Sequence, residues 1–135
     1  MKKFLMILVL ILSTITVCAQ NVNWYRATSL AIKEYNYQYN YWNPWTDWEK
    51  VNLNIKIDLD SDVIIIYSKV TQVYTVLEAS DVYIDADGGK QIKCKVLDAD
   101  GDKATVRLRM ESSGNSQLYV DYADVNWVYN VKRIK

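Results

Sequence analysis

Val51, Leu53, Ile55, Ile57 and Leu59 alternate with Asn52, Asn54, Lys56 and Asp58. A two-residue period puts one set on each face of a pleated strand, and it does not fit the turn of a helix. The same alternation recurs almost everywhere downstream of the first twenty residues, and no helical period is sustained. Ile92, Cys94 and Val96 share one face against Lys93 and Lys95; Val106, Leu108 and Met110 oppose Arg107 and Arg109; Leu118, Val120 and Tyr122 form the next inward set. Val63–Ser68 is a fully apolar strand, and Thr71–Leu77, Val82–Asp85 and Val125–Ile134 are further strands. Asp98-Ala99-Asp100-Gly101-Asp102 makes a hairpin turn in which Gly101 supplies a positive φ. Cys94 is a small core residue on this reading.

With the long opening segment Thr28–Tyr41, eight or nine strands result, joined by turns too short for a crossover helix. The expected fold is therefore all-β: a single antiparallel up-and-down meander, closed or nearly closed into a barrel that removes exposed edges. A two-sheet β-sandwich is the alternative.

The first nineteen residues read as an export signal rather than as part of the domain. Met1, Lys2 and Lys3 precede the apolar run Phe4–Val17, which is too short to span a membrane, and Val17-Cys18-Ala19 offers small residues for cleavage after Ala19. The segment resembles the export signals of Bacteroidota, many of which end in Ala-Gln. Lipoprotein processing at Cys18 is the competing route, but Val17 stands where a lipobox wants Gly, Ala or Ser. Residues 20–135 then form one domain, and the mature chain has no transmembrane segment. Localisation is periplasmic or extracellular.

Loss of Lys2 and Lys3 leaves 14 basic residues against 16 acidic ones, a net charge of −2 that gives no reason to expect nucleic acid. The chain has no histidine, and Cys94 is its one cysteine beyond the signal, so histidine-based catalysis, histidine metal sites and an internal disulfide are absent. No phosphate-binding glycine loop occurs, and no cofactor is expected.

Asn23-Trp24-Tyr25-Arg26-Ala27 resembles the first strand of calycin and lipocalin barrels, where Gly-x-Trp-Tyr is usual; here Val22 stands in place of the glycine. The resemblance implies a ligand cup within the barrel and Trp24 packed across its closed base. The chain also resembles small exported proteins of gut Bacteroidota.

The aromatic residues concentrate in one segment. Tyr35, Tyr37, Tyr39 and Tyr41 keep strict period two, with Asn36, Gln38 and Asn40 between them. Leu30 and Ile32 lie on the opposite parity, so a straight strand cannot bury both Leu30 and Tyr35. A bulge near Lys33 or Glu34 would turn the tyrosines inward, which is the favoured reading; without it they form an exposed ladder. Trp42, Trp45 and Trp48 flank Pro44 on a loop. These indoles either fold over an open barrel end as a cap, the favoured reading, or offer stacking surfaces to sugar rings. Tyr35, Tyr37, Tyr39, Tyr41, Trp42, Trp45 and Trp48 are thus the candidate ligand-binding residues.

Acidic turns at 58–62, 85–89 and 98–102 raise the question of Ca²⁺, with Asp58, Asp60, Asp98 and Asp100 as candidate ligands, although Asp and Gly are also the ordinary residues of hairpin turns. If Val82–Asp85 is a stave of its own, the turns at 58–62, 78–81, 98–102 and 121–124 share one mouth. The protein would then have an acidic pole opposite the tryptophan loop.

The function expected is non-enzymatic binding, of a small apolar molecule in the barrel or of a glycan at the Tyr/Trp end. The alternative is a protein-interaction or inhibitor role using the aromatic end as interface. An enzyme would need a carboxylate pair such as Glu34 with Asp47 or Glu49 acting on a glycosidic bond.

Overall fold

A computed structural model describes residues 22–134. The export signal expected over residues 1–19, with Cys18, lies outside the described residues. Ten strands form: β1 (Val22–Asn36), β2 (Tyr41–Trp42), β3 (Glu49–Asp58), β4 (Val63–Ile66), β5 (Gln72–Ala79), β6 (Tyr83–Ile84), β7 (Lys90–Leu97), β8 (Lys103–Met110), β9 (Ser116–Asp121) and β10 (Val125–Arg133). Eight of them, β1, β3, β4, β5, β7, β8, β9 and β10, pair in that order, and β10 pairs back onto β1 from Tyr25↔Arg133 to Glu34↔Val125. All pairings are antiparallel, so the meander closes into an eight-stranded barrel. The strands β2 and β6 are additions to β1 and β7.

The inward residues are those the alternation selects. Ile55, Ile57, Ile64, Ile66, Val96, Val106, Leu118 and Val120 are all buried in one core cluster with Tyr25, Ala27, Tyr74, Cys94 and Tyr129. Each such aliphatic side chain contributes about 1.5–3 kcal/mol on leaving water.

Two irregularities direct the rest. The first is at Thr28, where the register slips against both β3 and β10. Tyr25 and Ala27 point inward before this bulge and Leu30 after it; no slip follows at Lys33 or Glu34, so Leu30 and Tyr35 stay on opposite faces. The second is in β5 and β6, which form one interrupted stave. Past the slip between Val76 and Glu78, β5 pairs β7 through Ala79↔Cys94; Ser80 N–H then donates to the Lys93 carbonyl at 2.8 Å, and β6 resumes with Tyr83↔Gln91. The chain does not reverse at 78–81.

That continuity overturns the acidic pole. Without a reversal at 78–81, the turn at 59–62 opens at the mouth where β1 begins and β10 ends, here the entry mouth, together with the 85–89 and 111–115 turns. The turn at 98–102 opens at the far mouth, with 122–124 and the aromatic segment. Asp60 and Asp100 therefore belong to opposite mouths, and the aromatic segment shares its mouth with Asp98, Asp100, Asp102 and Asp124.

Candidate functional site

The barrel interior has two unlike halves. Toward the far mouth it is filled by rings. Tyr122 stacks on Trp127 with centroids 5.4 Å apart, and its hydroxyl donates to Asp98 Oδ2 at 2.8 Å. The Tyr74 hydroxyl donates to Gln72 Oε1 at 2.6 Å, and Gln72 Nε2 donates to Ser68 Oγ at 3.1 Å and to the Tyr129 hydroxyl at 3.4 Å. Burial, and then the Asp98 carboxylate, push the Tyr122 phenol up to about 12. Burial likewise raises Tyr74. These phenols stay neutral and act as donors, so a hydrogen-bonded plug of rings occupies the far-mouth half.

Toward the entry mouth the core side chains leave a hollow between them. A cavity of about 200 Å³ is walled by Tyr25, Ile64, Cys94, Leu108 and Leu118, with Asn23, Met110 and Arg133 among the residues that line it toward the strand ends. Arg133 Nη2 donates to Asn23 Oδ1 at 2.7 Å. Burial raises the Tyr25 phenol, and the positive charge of Arg133 opposes the rise. Burial also raises the Cys94 thiol, as expected of a core cysteine rather than a nucleophile. No residue of this cup was among the aromatic candidates. Its signal in the sequence was the inward parity of Cys94, Leu108 and Leu118, which marks a core without distinguishing filled from hollow.

The aromatic segment lies outside. Tyr35 shares the outward parity of Ala31 and Lys33, and Tyr37 and Tyr39 are 69% and 63% exposed. The inward reading of the tyrosines is therefore incorrect, because the parity change sits at Thr28 and leaves β1 regular through Glu34. The chain turns at 37–40, where Asn36 Oδ1 accepts the N–H groups of Gln38 and Tyr39 and Asn40 adopts φ 54°. It returns as β2 along β1. Tyr35 meets Tyr37 and Trp42 edge-on, Tyr39 stacks on Tyr41, and the Tyr37 hydroxyl donates to Asp124 Oδ2 at 3.3 Å.

The tryptophan loop is likewise not a cap over the mouth. Asn43 N–H donates to the Glu34 carbonyl and Thr46 N–H to the Ile32 carbonyl, so the loop runs beside β1 where β3 has left it. Trp45 then reaches across the outer wall to Tyr119 on β9, at a centroid distance of 6.3 Å. Trp24, expected across the closed base, also lies outside, stacked on Tyr67 under the Lys56 ammonium.

The acidic turns use their carboxylates internally. Asp98 Oδ1 accepts the N–H groups of Asp100 and Asp102, both at 2.9 Å, and Oδ2 takes the Tyr122 hydroxyl. Asp85 Oδ1 accepts from Asp87 and Gly89, while Oδ2 accepts from Gln91 and from Arg109 Nε at 2.8 Å. Asp58 Oδ1 accepts the Ser61 N–H. Asp58 and Asp60 stand at the entry mouth and Asp98 and Asp100 at the far mouth; the fold does not bring the four together. Among the described residues no group of three or more His, Cys, Asp or Glu side chains is placed to hold a metal ion. Glu34, Asp47 and Glu49 are exposed, outside the cup.

No protein-family profile matches the chain, and neither the search of curated proteins nor that of solved structures finds a match. What the structure shows is an eight-stranded closed antiparallel barrel, with no family identified.

Proposed function

We propose that this protein is an exported, non-enzymatic binding module that holds a small apolar molecule in the entry-mouth half of its barrel. The cavity of about 200 Å³ carries the reading. An eight-stranded barrel has room either for packed side chains or for one small ligand, and here the two halves divide those roles. The walls are predominantly apolar, and the few polar residues among them, Asn23, Tyr25, Ser116 and Arg133, are suited to orienting one polar end of a guest. The plug at the far mouth leaves the entry mouth as the route in.

The test uses Cys94, which lines the cup. Titration with 1-octanol or indole is expected to raise Tm and to slow alkylation of Cys94, mapped by mass spectrometry. Leu108→Trp, which fills the cup from its wall, is expected to abolish both effects. If a series of such compounds moves neither Tm nor the Cys94 rate, the reading fails.

A further inference from the structure

A second hollow lies on the outer wall and shares nothing with the cup. Ala31, Val128, Tyr119 and Arg107 are successive cross-strand partners on β1, β10, β9 and β8. All four face outward, since their neighbours Leu30, Tyr129, Leu118 and Val106 belong to or pack on the core. Yet Ala31 and Val128 are only 2% and 3% exposed, because the loop carrying Trp45, Thr46 and Trp48 lies over them. Between loop and wall is a hollow of about 170 Å³.

Its construction is specific. The floor is two small apolar side chains, and the sides are three aromatic rings, Trp45, Trp48 and Tyr119. Trp45 and Trp48 keep ring surface in solvent, at 38% and 49% exposure. The Thr46 hydroxyl accepts the Ile32 N–H at 2.9 Å, which fixes the loop to β1. The Lys33 ammonium lies 4.9 Å above the Trp45 ring and 5.2 Å from that of Trp42. No carboxylate of the described residues forms an ion pair with it. By contrast Arg107, which stacks on Tyr119 at 4.2 Å, is already held by Asp121 at 2.6 Å.

We propose that this cleft binds a hexuronate residue of an acidic glycan. Exposed indole faces accept the C–H faces of a pyranose ring, as they accept other weakly positive edges. At about 170 Å³ the hollow has room for one such ring. The ammonium at its border supplies the charge that a sugar carboxylate would meet, which selects a uronate over a neutral hexose. Exposed aromatic surface of this kind marks a binding site more often than an idle wall.

The experiment is calorimetric titration of the protein with oligogalacturonate, with a neutral cello-oligosaccharide of equal length as control. Binding is expected for the acidic chain, weakening as salt rises. Trp48→Ala is expected to lower affinity more than about tenfold, and Lys33→Gln about fivefold, each with Tm near that of the parent. Leu108→Trp, which fills the cup, is expected to leave this binding unchanged, so the two sites succeed or fail separately. Absence of binding, equal binding of the neutral chain, or affinity unchanged in both Trp48→Ala and Lys33→Gln would overturn the proposal. So would loss of binding in Leu108→Trp.

Discussion

At the residue scale, the turns show how single atoms specify a connection. Gly88, Gly101 and Gly114 occupy the fourth position of three similar turns, with φ of 83°, 84° and 95°. A side chain at Gly101 would meet open space, so only the backbone conformation opposes it. Gly101→Ala is therefore expected to cost about 1–2 kcal/mol in urea unfolding, and Gly101→Asn less, since Asn tolerates this region. An equal cost for both would point to packing instead. The first-position aspartates add a pH signature. Tyr122's hydroxyl, and then the Asp102 N–H, hold the Asp98 carboxyl below the usual range; Arg109, and then Gln91, hold that of Asp85 well below it. Folded values lower than unfolded ones mean a contribution complete above about pH 4 and lost as pH falls through the folded values. Tm should hold from pH 7 to about 5 and decline below about 4. In Asp98→Asn the acid decline should be smaller than in the parent; an identical decline would show that Asp98 contributes nothing to it.

At the scale of elements, a hairpin such as β7–β8 is legible because everything it needs is local. Alternation assigns the faces, and Asp98 and Gly101 assign the turn. The outward-facing basic side chains of that hairpin also find their partners in neighbouring elements: Arg107 with Asp121, Arg109 with Asp85, Lys95 with Glu78. The course of β1 was less legible, because parity alone shows that Leu30 and Tyr35 conflict without showing which of them turns outward. A bulge near Lys33 and an unbroken strand with outward tyrosines both satisfy that parity. The observed one keeps Leu30, Ile32 and Glu34 opposite Tyr129, Trp127 and Val125 of β10, an unbroken run of pairs that a bulge at Lys33 would interrupt. The stretch Glu78–Asp81 misleads for a similar reason. Its residues favour a turn, but Ser80 pairs with Lys93 through both backbone and hydroxyl, and the stave continues.

At the scale of the whole molecule, closure depends on the two ends of the chain. The Ile134 N–H donates to the Trp24 carbonyl at 2.9 Å, and β10 pairs with β1 over most of its length. Removing β10 would bare the edges of β1 and β9 together, and both carry apolar inward faces. A chain ending at Asp124 is expected to lose the cooperative thermal transition and to aggregate in size-exclusion chromatography. A circular permutant that joins Arg133 to Val22 by a short Gly-Ser linker and opens at 111–115 should retain the transition. A folded, monomeric truncation would show that closure is dispensable.

Alternation and turn chemistry determined that this chain is a meander of strands, which residues face its centre and where most of its hairpins fall. These properties depend on neighbours one to five residues apart, and the sequence contains those neighbours. The tertiary structure alone decided which turns share a mouth, where the first strand changes face, and which half of the interior is hollow. Each of those depends on hydrogen bonds and side-chain volumes contributed by strands far away in the chain. The single pairing of Ser80 with Lys93 is enough to separate Asp60 from Asp100 and to bring the aromatic arm beside Asp124.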